Sequence, residues 1–441
     1  MKETVIQFGT GNFLRGFFDH FLHLLNEKGI YEGKAVIVQP TSGKNGEIIN
    51  AQRGKYNLLI RGIENGEKVS HLTEIRSVSR AVSPYTDFDS FLALAETPDF
   101  RFIVSNTTES GIEFNPECRF EDRPAASFPG KLCQLLYRRF EKGFKGFVIL
   151  PCELIDRNGE ALKDAVIQYA RLWQLGENFL HWIEKENSFC NTLVDRIVTG
   201  YPTDEAESIF EEIGYEDKLL NTAEPFHLWA IEGDFENELP LRKAGLNVIW
   251  TNDVSPYKKM KVRILNGAHT SLVFPSLISG IETVRESVEN KLLGSYLNSC
   301  IFDYIIPTIG DTEENRAFSD AVLSRFANPY IRHRWKSISL NSVSKFSVRV
   351  LPTLKEYYQK TGKLPRPFLL SLACLIKYYK TQEPSDNARL IEKIRTLDTK
   401  EILSDKELFG EDISFLKDYL MICTEILNEL GITEAIKWAL S

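Results

Sequence analysis

The stretch VIQFGTGNFLRGFFDHF, Val5 to Phe21, decides how the first half of this chain is read. Val5, Ile6 and Phe8 belong to a short β-prone run. Gly9-Thr10-Gly11 interrupts it, and a helix-prone, aromatic-rich run follows over about 13–28. Glycine at such a turn permits positive φ and lets a phosphate approach the backbone. A helix behind the turn adds free N–H groups and the positive end of its dipole. The spacing G-x-G-x-x-G is incomplete, because Leu14 stands where the third glycine belongs and Gly16 lies further on. The turn therefore reads either as a dinucleotide cradle or as a tight strand–helix connection without a ligand.

Working outward, strand-like and helix-like runs alternate. KAVIVQP, RFIVSNTTE and GFVILPCELI read as strands, and FDSFLALAE and AASFPGKLCQLLYRRFE as helices. Such alternation implies a mostly parallel sheet with helices on both faces and ligands at the carboxyl ends of its strands. YNLLIRGI and KVSHLTEIRSVSRAV read as an antiparallel insertion, and FHLWAI and LNVIWTN as further strands. From about residue 256, MKVRILNGAHTSLVF, FLLSLACLIKYYK and ISFLKDYLMICTEILNEL show the spacing of amphipathic helices. The fold class is α/β: a Rossmann-like, doubly wound domain over 1–255, followed by a mainly α-helical domain over 256–441.

The chain has 441 residues and a formal net charge of −8, which disfavours nucleic-acid or membrane-surface partners. Its seven cysteines are widely spaced with no C-x-x-C, as expected of reduced thiols in a cytoplasmic protein. The first strand begins almost at residue 1, leaving no room for a leader, and no apolar run reaches about 18 residues.

Two polar strand ends are places for a cofactor ribose. Gln39, after the second strand, is followed by Pro40, Thr41 and Ser42, with no acid to hold ribose hydroxyls and no arginine for a 2′-phosphate. Asn106, Thr107, Thr108 and Glu109 follow the strand at 102–105. These residues leave NAD and NADP open.

The densest chemistry lies in KVRILNGAH, Lys261 to His269. On an α-helix, Asn266 falls about 140° and His269 about 80° around the axis from Lys261, within one broad arc. A lysine with its reference pKa of roughly 10.4 is a poor base at neutral pH, but partial burial disfavours a lysine's charge. A neutral amine there would take the proton of a secondary alcohol as hydride leaves its carbon. Asn266 would donate to the oxygen, and His269 would orient the hydroxyl. Tyr257 to Lys261 also fits the Y-x-x-x-K pair of short-chain dehydrogenases, although that family is about half this length. His20 and His23 lack a third ligand, so no metal site is expected.

Lys261-x4-Asn266-x2-His269 and the amino-terminal G-x-G-N-F-x-R resemble the polyol-specific long-chain dehydrogenases, the mannitol dehydrogenase family. NSFCNTLVDRIVTGYP, PYKKMKVRILNGAHTSLV and RFANPYIRHRWKSISLNSVSKF extend the resemblance over almost the whole chain. It implies a zinc-independent, NAD-dependent enzyme with Lys261 as acid/base supported by Asn266 and His269, and with Phe8, Gly9, Gly11, Asn12 and Phe13 at the cofactor. Where mannitol and mannonate members carry C-D-N-x-x-x-N-G, this chain reads CELIDRNG, which keeps Asn158 as a second oxyanion donor. That difference points to the branch that interconverts D-altronate and D-tagaturonate in galacturonate breakdown. Fructuronate or neutral-polyol activity is the alternative within the family, and a dinucleotide-binding regulatory protein without turnover is the alternative outside it. A sugar-acid substrate needs cations for its carboxylate. Arg332, His333, Lys345 and Arg349 are the candidates.

Overall fold

The computed structural model describes residues 1–107 and 111–441. Thr108 and Glu109, two of the expected cofactor contacts, lie outside the described residues. The chain divides into two compact units, residues 1–61 with 68–254 and residues 62–67 with 255–441.

The strands are β1 (Lys2–Phe8), β2 (Gly33–Val38), β3 (Tyr56–Glu64), β4 (Glu67–Ile75), β5 (Val78–Val82), β6 (Phe102–Ser105), β7 (Val148–Pro151), β8 (Ser188–Phe189), β9 (Thr192–Asp195), β10 (Asn221–Ala223), β11 (Leu228–Glu232) and β12 (Val248–Thr251), all in the first unit except the tips of β3 and β4 at 62–64 and 67. Six of them form one parallel sheet in the order β5-β2-β1-β6-β7-β8. This is the doubly wound Rossmann order, whose winding reverses between β1 and β6. Phe8 is in register with Val38 on one side and Ser105 on the other. The pleat sends Ile6 and Phe8 into one apolar layer, with Leu132, Leu136, Leu162 and Val166. Val5 faces the opposite layer, with Phe18, Phe21, Leu22 and Trp229.

Two expectations need correction. β5 pairs parallel with β2 as the edge of the main sheet, so the run read as one antiparallel insertion serves two sheets. Only β3 and β4 leave for a second sheet, where β10 pairs parallel with β3. The chain changes sheets at Arg76–Ser77 without Gly or Pro, so no local punctuation marks the division. The helix expected over 13–28 is two helices, Asn12–Gly16 and Phe18–Glu27, broken at Phe17 with φ −124° and ψ −84°. The break forms where Gly16 packs so closely on Val198 that an added Cβ would lie 2.9 Å from Val198 Cγ1. It leaves Phe17 and Phe18 both buried against Trp229, with ring centroids 5.4 and 6.0 Å away.

The second unit is mainly helical. Its first long rod changes character along its length: α-helix over Ser255–Met260, π-helix over Lys261–Asn266, and α-helix again over Gly267–Ile278. A second π-helical segment spans Cys300–Ile305. Among the described residues no helix is long and apolar enough to cross a membrane.

Candidate active site

The glycine turn sits at the carboxyl end of β1, where the winding reverses. Gly9 has φ +131°, and a Cβ there would stand 2.8 Å from the carbonyl oxygen of Asn106. Only glycine fits that approach of backbone to backbone. Nothing lies within 4 Å of a Cβ built on Gly11, so the turn presents an open backbone surface. Arg15 braces it from behind, donating through Nε to the Thr10 carbonyl at 3.3 Å and through Nη2 to Asn12 Oδ1 at 2.6 Å. A cavity of about 510 Å³ opens beside the ends of β2 and β6, lined by Pro40, Thr41, Thr107, Gly111, Phe114 and Phe128. Relief of the clash in Gly9→Ala must displace the end of β6, and a dinucleotide held on this turn is then expected to bind at least about tenfold more weakly. Fluorescence titration of NADH on the variant measures this.

Several polar side chains expected at the cofactor do other work. Gln39 is buried, its Nε2 donating to the Thr41 and Gly43 carbonyls and its Oε1 accepting from Gly46 N at 2.7 Å. It shapes the loop after β2, with both amide hydrogens committed to that loop. Asn106 donates to the Cys152 carbonyl at 2.8 Å, tying β6 to β7. Phe8 is core, packed on Phe91 and Phe128, and Phe13 stacks on Phe17 at 4.9 Å.

Glu153, which the sequence reading did not single out, is buried and accepts from Ser105 Oγ, Thr107 N and Thr107 Oγ1, each at 3.0 Å. Burial raises its pKa, with those hydrogen bonds opposing. It fixes the Thr107 end of β6. The local signal was its place two residues past the end of β7.

Asn158 is corrected as an oxyanion donor. It is 1% exposed, and its Nδ2 donates to the carbonyls of Pro151 at 2.9 Å, Glu153 at 3.0 Å and Thr192 at 3.2 Å. Its Oδ1 accepts from Thr192 N at 2.8 Å. With every polar atom committed, Asn158 clamps the ends of β7 and β9. Asn158→Ala is expected to lower stability by about 2–4 kcal/mol by stranding these buried groups, read from denaturant midpoints. An oxyanion role would instead lower kcat and leave stability intact.

In the second unit, the π-helical turn changes the geometry assumed from sequence. The Gly267 N–H donates to the Val262 carbonyl, an i→i+5 bond. This register brings residue i+5 over residue i, where an α-helix would rotate it well aside. Lys261 and Asn266 are such a pair, and His269 follows Asn266 by three residues in α-helix, on the same face. Gly267 lets the turn press against the next segment, since a Cβ there would lie 3.0 Å from the Arg349 carbonyl oxygen.

His269 stacks on Phe326 at 4.1 Å and 7°, with His333 at 5.8 Å and Trp335 at 6.0 Å edge-on. Its Nε2 is buried and has no hydrogen-bond partner among the described residues. Burial holds its pKa well below the usual histidine value, helped by His333, Arg325, Arg349 and Lys345. The ring is neutral at neutral pH and offers a hydrogen-bonding nitrogen.

That same electrostatic neighbourhood gathers the candidate cations. Lys345 and Arg349 are one turn apart on the helix Ser342–Arg349. Lys345 Nζ donates to the Ile338 carbonyl at 2.9 Å, and its pKa is lowered by burial and then by Arg349. Arg349 is half-buried with its pKa lowered by burial, and no acid or carbonyl pairs with it among the described residues. Arg325, buried at 7% exposure, joins the group. The sequence reading missed it, although it opens the quoted stretch RFANPY. Arg332 stands apart: its side chain is 70% exposed, with Glu282 at 4.0 Å.

Among the described residues no group of three or more His, Cys, Asp or Glu is placed to hold a metal ion. His20 instead lies 3.0 Å from Arg196 Nη1 through its Nδ1.

Comparison with known proteins agrees with this architecture. Residues 3–243 match the mannitol dehydrogenase Rossmann domain and residues 253–418 the mannitol dehydrogenase C-terminal domain. The chain is 40% identical to an altronate oxidoreductase of Bacillus subtilis, over 99% of this chain and 95% of that one. It is 43% identical to an altronate oxidoreductase of Yersinia enterocolitica, over 97% and 94%. Among solved structures, a substrate-free D-sorbitol dehydrogenase superposes with a TM-score of 0.88 at 23% identity, covering 99% of this chain and 95% of its own. The mannitol 2-dehydrogenase of Pseudomonas fluorescens, solved as a ternary complex with NAD and D-mannitol, superposes with a TM-score of 0.75 at 21% identity, covering 100% and 94%. A parallel sheet wound about an open glycine turn, a helical unit carrying Lys261, Asn266 and His269 on one rod, and matches spanning both units together show that this chain is an oxidoreductase of the mannitol dehydrogenase family.

Proposed function

We propose that this protein is an NAD-dependent dehydrogenase that interconverts D-altronate and D-tagaturonate. The observation that carries the sugar-acid reading is Arg349: a half-buried guanidinium with no counter-ion among the described residues, one turn from Lys345. Like charges so placed repel, and burying an unpaired charge costs stability. A substrate carboxylate relieves both costs and forms charge-assisted hydrogen bonds. A neutral polyol relieves neither. The names of the altronate oxidoreductase relatives support the same substrate.

The glycine turn fits a dinucleotide, because Gly9 permits its close seating on the end of β6 and the backbone surface at Gly11 is open. The NAD-bound mannitol 2-dehydrogenase supports NAD as that dinucleotide. When bound, NAD supplies the acceptor for the hydride of the alcohol carbon. The Lys261 amine takes the hydroxyl proton as the C=O bond forms, and in the reverse direction its ammonium returns that proton to the oxygen. Asn266 donates its amide N–H to the same oxygen, where charge develops. His269, neutral and with a vacant Nε2 valence, hydrogen-bonds the substrate and fixes its orientation.

The test follows NADH absorbance with tagaturonate and fructuronate side by side, with mannitol and NAD as the neutral control. Oxidation of NADH by tagaturonate well above fructuronate is the expected result. Preference for fructuronate moves the protein to the mannonate branch, and NADH binding without turnover of any of these makes it a regulatory protein.

A further inference from the structure

Gln7 and Asp19 are out of place by the pattern around them. Gln7 interrupts the buried run of β1, on the face that packs against the helix Phe18–Glu27. Asp19 meets it from that helix, and both are fully buried. Asp19 Oδ2 accepts from Tyr56 OH at 3.0 Å and from Gln7 Nε2 at 3.5 Å, while Asp19 Oδ1 and Gln7 Oε1 have no partner among the described residues. Buried acceptors left unsatisfied cost stability, so their place in the core calls for a use.

Two routes lead from Asp19 to the glycine turn. Gln7 Nε2 also reaches the Gly9 carbonyl at 3.4 Å. The Tyr56 hydroxyl oxygen also lies 2.8 Å from the Arg15 carbonyl, its one proton shared between that carbonyl and Asp19, and its ring lies under the Arg15 guanidinium at 5.3 Å. Arg15 in turn holds the Thr10 carbonyl and Asn12 Oδ1. Gly9, Thr10 and Asn12 are thus gripped from beneath by one polar network whose centre is Asp19. We propose that Asp19 is a positioning residue for the dinucleotide, its carboxylate setting the shape of the Gly9–Asn12 turn through Gln7, Tyr56 and Arg15. This rests on the reading that the turn holds the dinucleotide.

Protonation gives the network a signature. Burial pushes the Asp19 carboxyl up to about 7, against the opposing pull of Tyr56, Gln7 and Arg15. The Tyr56 hydroxyl is pushed well above its ordinary value and stays a donor. Arg15 and Asp217 are the other charged groups acting on the cluster. The ionised carboxylate is the stronger acceptor for both donors, so the grip loosens as pH falls through 7.

NADH binding to the full chain is measured by fluorescence from pH 6 to pH 8.5, for wild type and for Asp19→Asn. Wild-type affinity is expected to weaken severalfold at the acid end. Asp19→Asn is expected to bind about tenfold more weakly at pH 8, to lose the pH step, and to show the deficit in KM for NADH with kcat at saturation held. Stability moves the other way. The unfolded chain releases this proton near its reference pKa of roughly 3.9, the folded chain only near 7, so native Asp19 lowers stability progressively between those values and by a constant amount above. Asp19→Asn should therefore unfold at a higher temperature at pH 8, which a merely structural carboxylate would not allow. Wild-type affinity and wild-type pH dependence in Asp19→Asn overturn the proposal. If that variant misfolds, Tyr56→Phe, which removes only the hydroxyl linking Asp19 to Arg15, must weaken NADH binding in its place or the proposal fails. Wild-type protein that does not bind NADH at all instead refutes the functional reading.

Discussion

Lys261→Ala is expected to lose about 10³-fold in turnover, within the range of a positioned general acid or base, while NADH affinity stays at the wild-type level. The rod that carries Lys261 belongs to the helical unit, whereas the glycine turn belongs to the Rossmann-like unit. Losses in kcat and in cofactor binding therefore separate. The π-helical register makes the expectation sharper than spacing alone. It sets Lys261 in line with Asn266 along the rod, the register that the proposed proton transfer and oxyanion contact require. Exogenous methylamine should restore part of the lost rate, because a small amine can occupy the space vacated by the side chain and carry the same proton. Near-full activity of the variant at neutral pH would remove Lys261 from the chemistry. Lost activity with no amine rescue and a lowered unfolding temperature would mark it as structural.

Arg349→Met is expected to lower kcat/KM for altronate about a hundredfold, at the lower end of what truncating one partner of a desolvated charge pair costs. Oxidation of mannitol, which has no carboxylate, should be unaffected or improved. Thermal unfolding supplies the control. A guanidinium that is half-buried beside Lys345 with no counter-ion among the described residues does not stabilise the empty protein, so the variant should melt no lower than wild type. A structural arginine would show the reverse, with a lowered melting temperature and equal losses on altronate and mannitol. Such a result would dissolve the sugar-acid argument while leaving the family membership untouched.

The contrast between Arg349 and Arg332 shows where sequence reasoning ran out. Both lie in polar, basic stretches, and nothing local separates them. The fold turns Arg332 outward to Glu282 and brings Arg349 into the surroundings of His269, together with Arg325 from a different helix. Asn158 failed for a related reason. Its position after a β-strand suits an oxyanion donor, yet three carbonyls and one N–H from β7, its flanking turn and β9 consume its amide. Both amide hydrogens of Gln39 are likewise taken by its own loop.

The amino-acid sequence by itself determined the alternation of strand and helix, the glycine turn at the end of β1, the change to a helical second half, and the Lys261–Asn266–His269 spacing. These are local: each is set by residue types within one or two turns of chain, where propensity and periodicity act. Tertiary structure alone decided that β5 closes the main sheet, that the Lys261 turn is π-helical, and which polar side chains are saturated and which keep a free valence. Hydrogen-bond saturation and charge pairing depend on groups remote in sequence, and only packing brings these together.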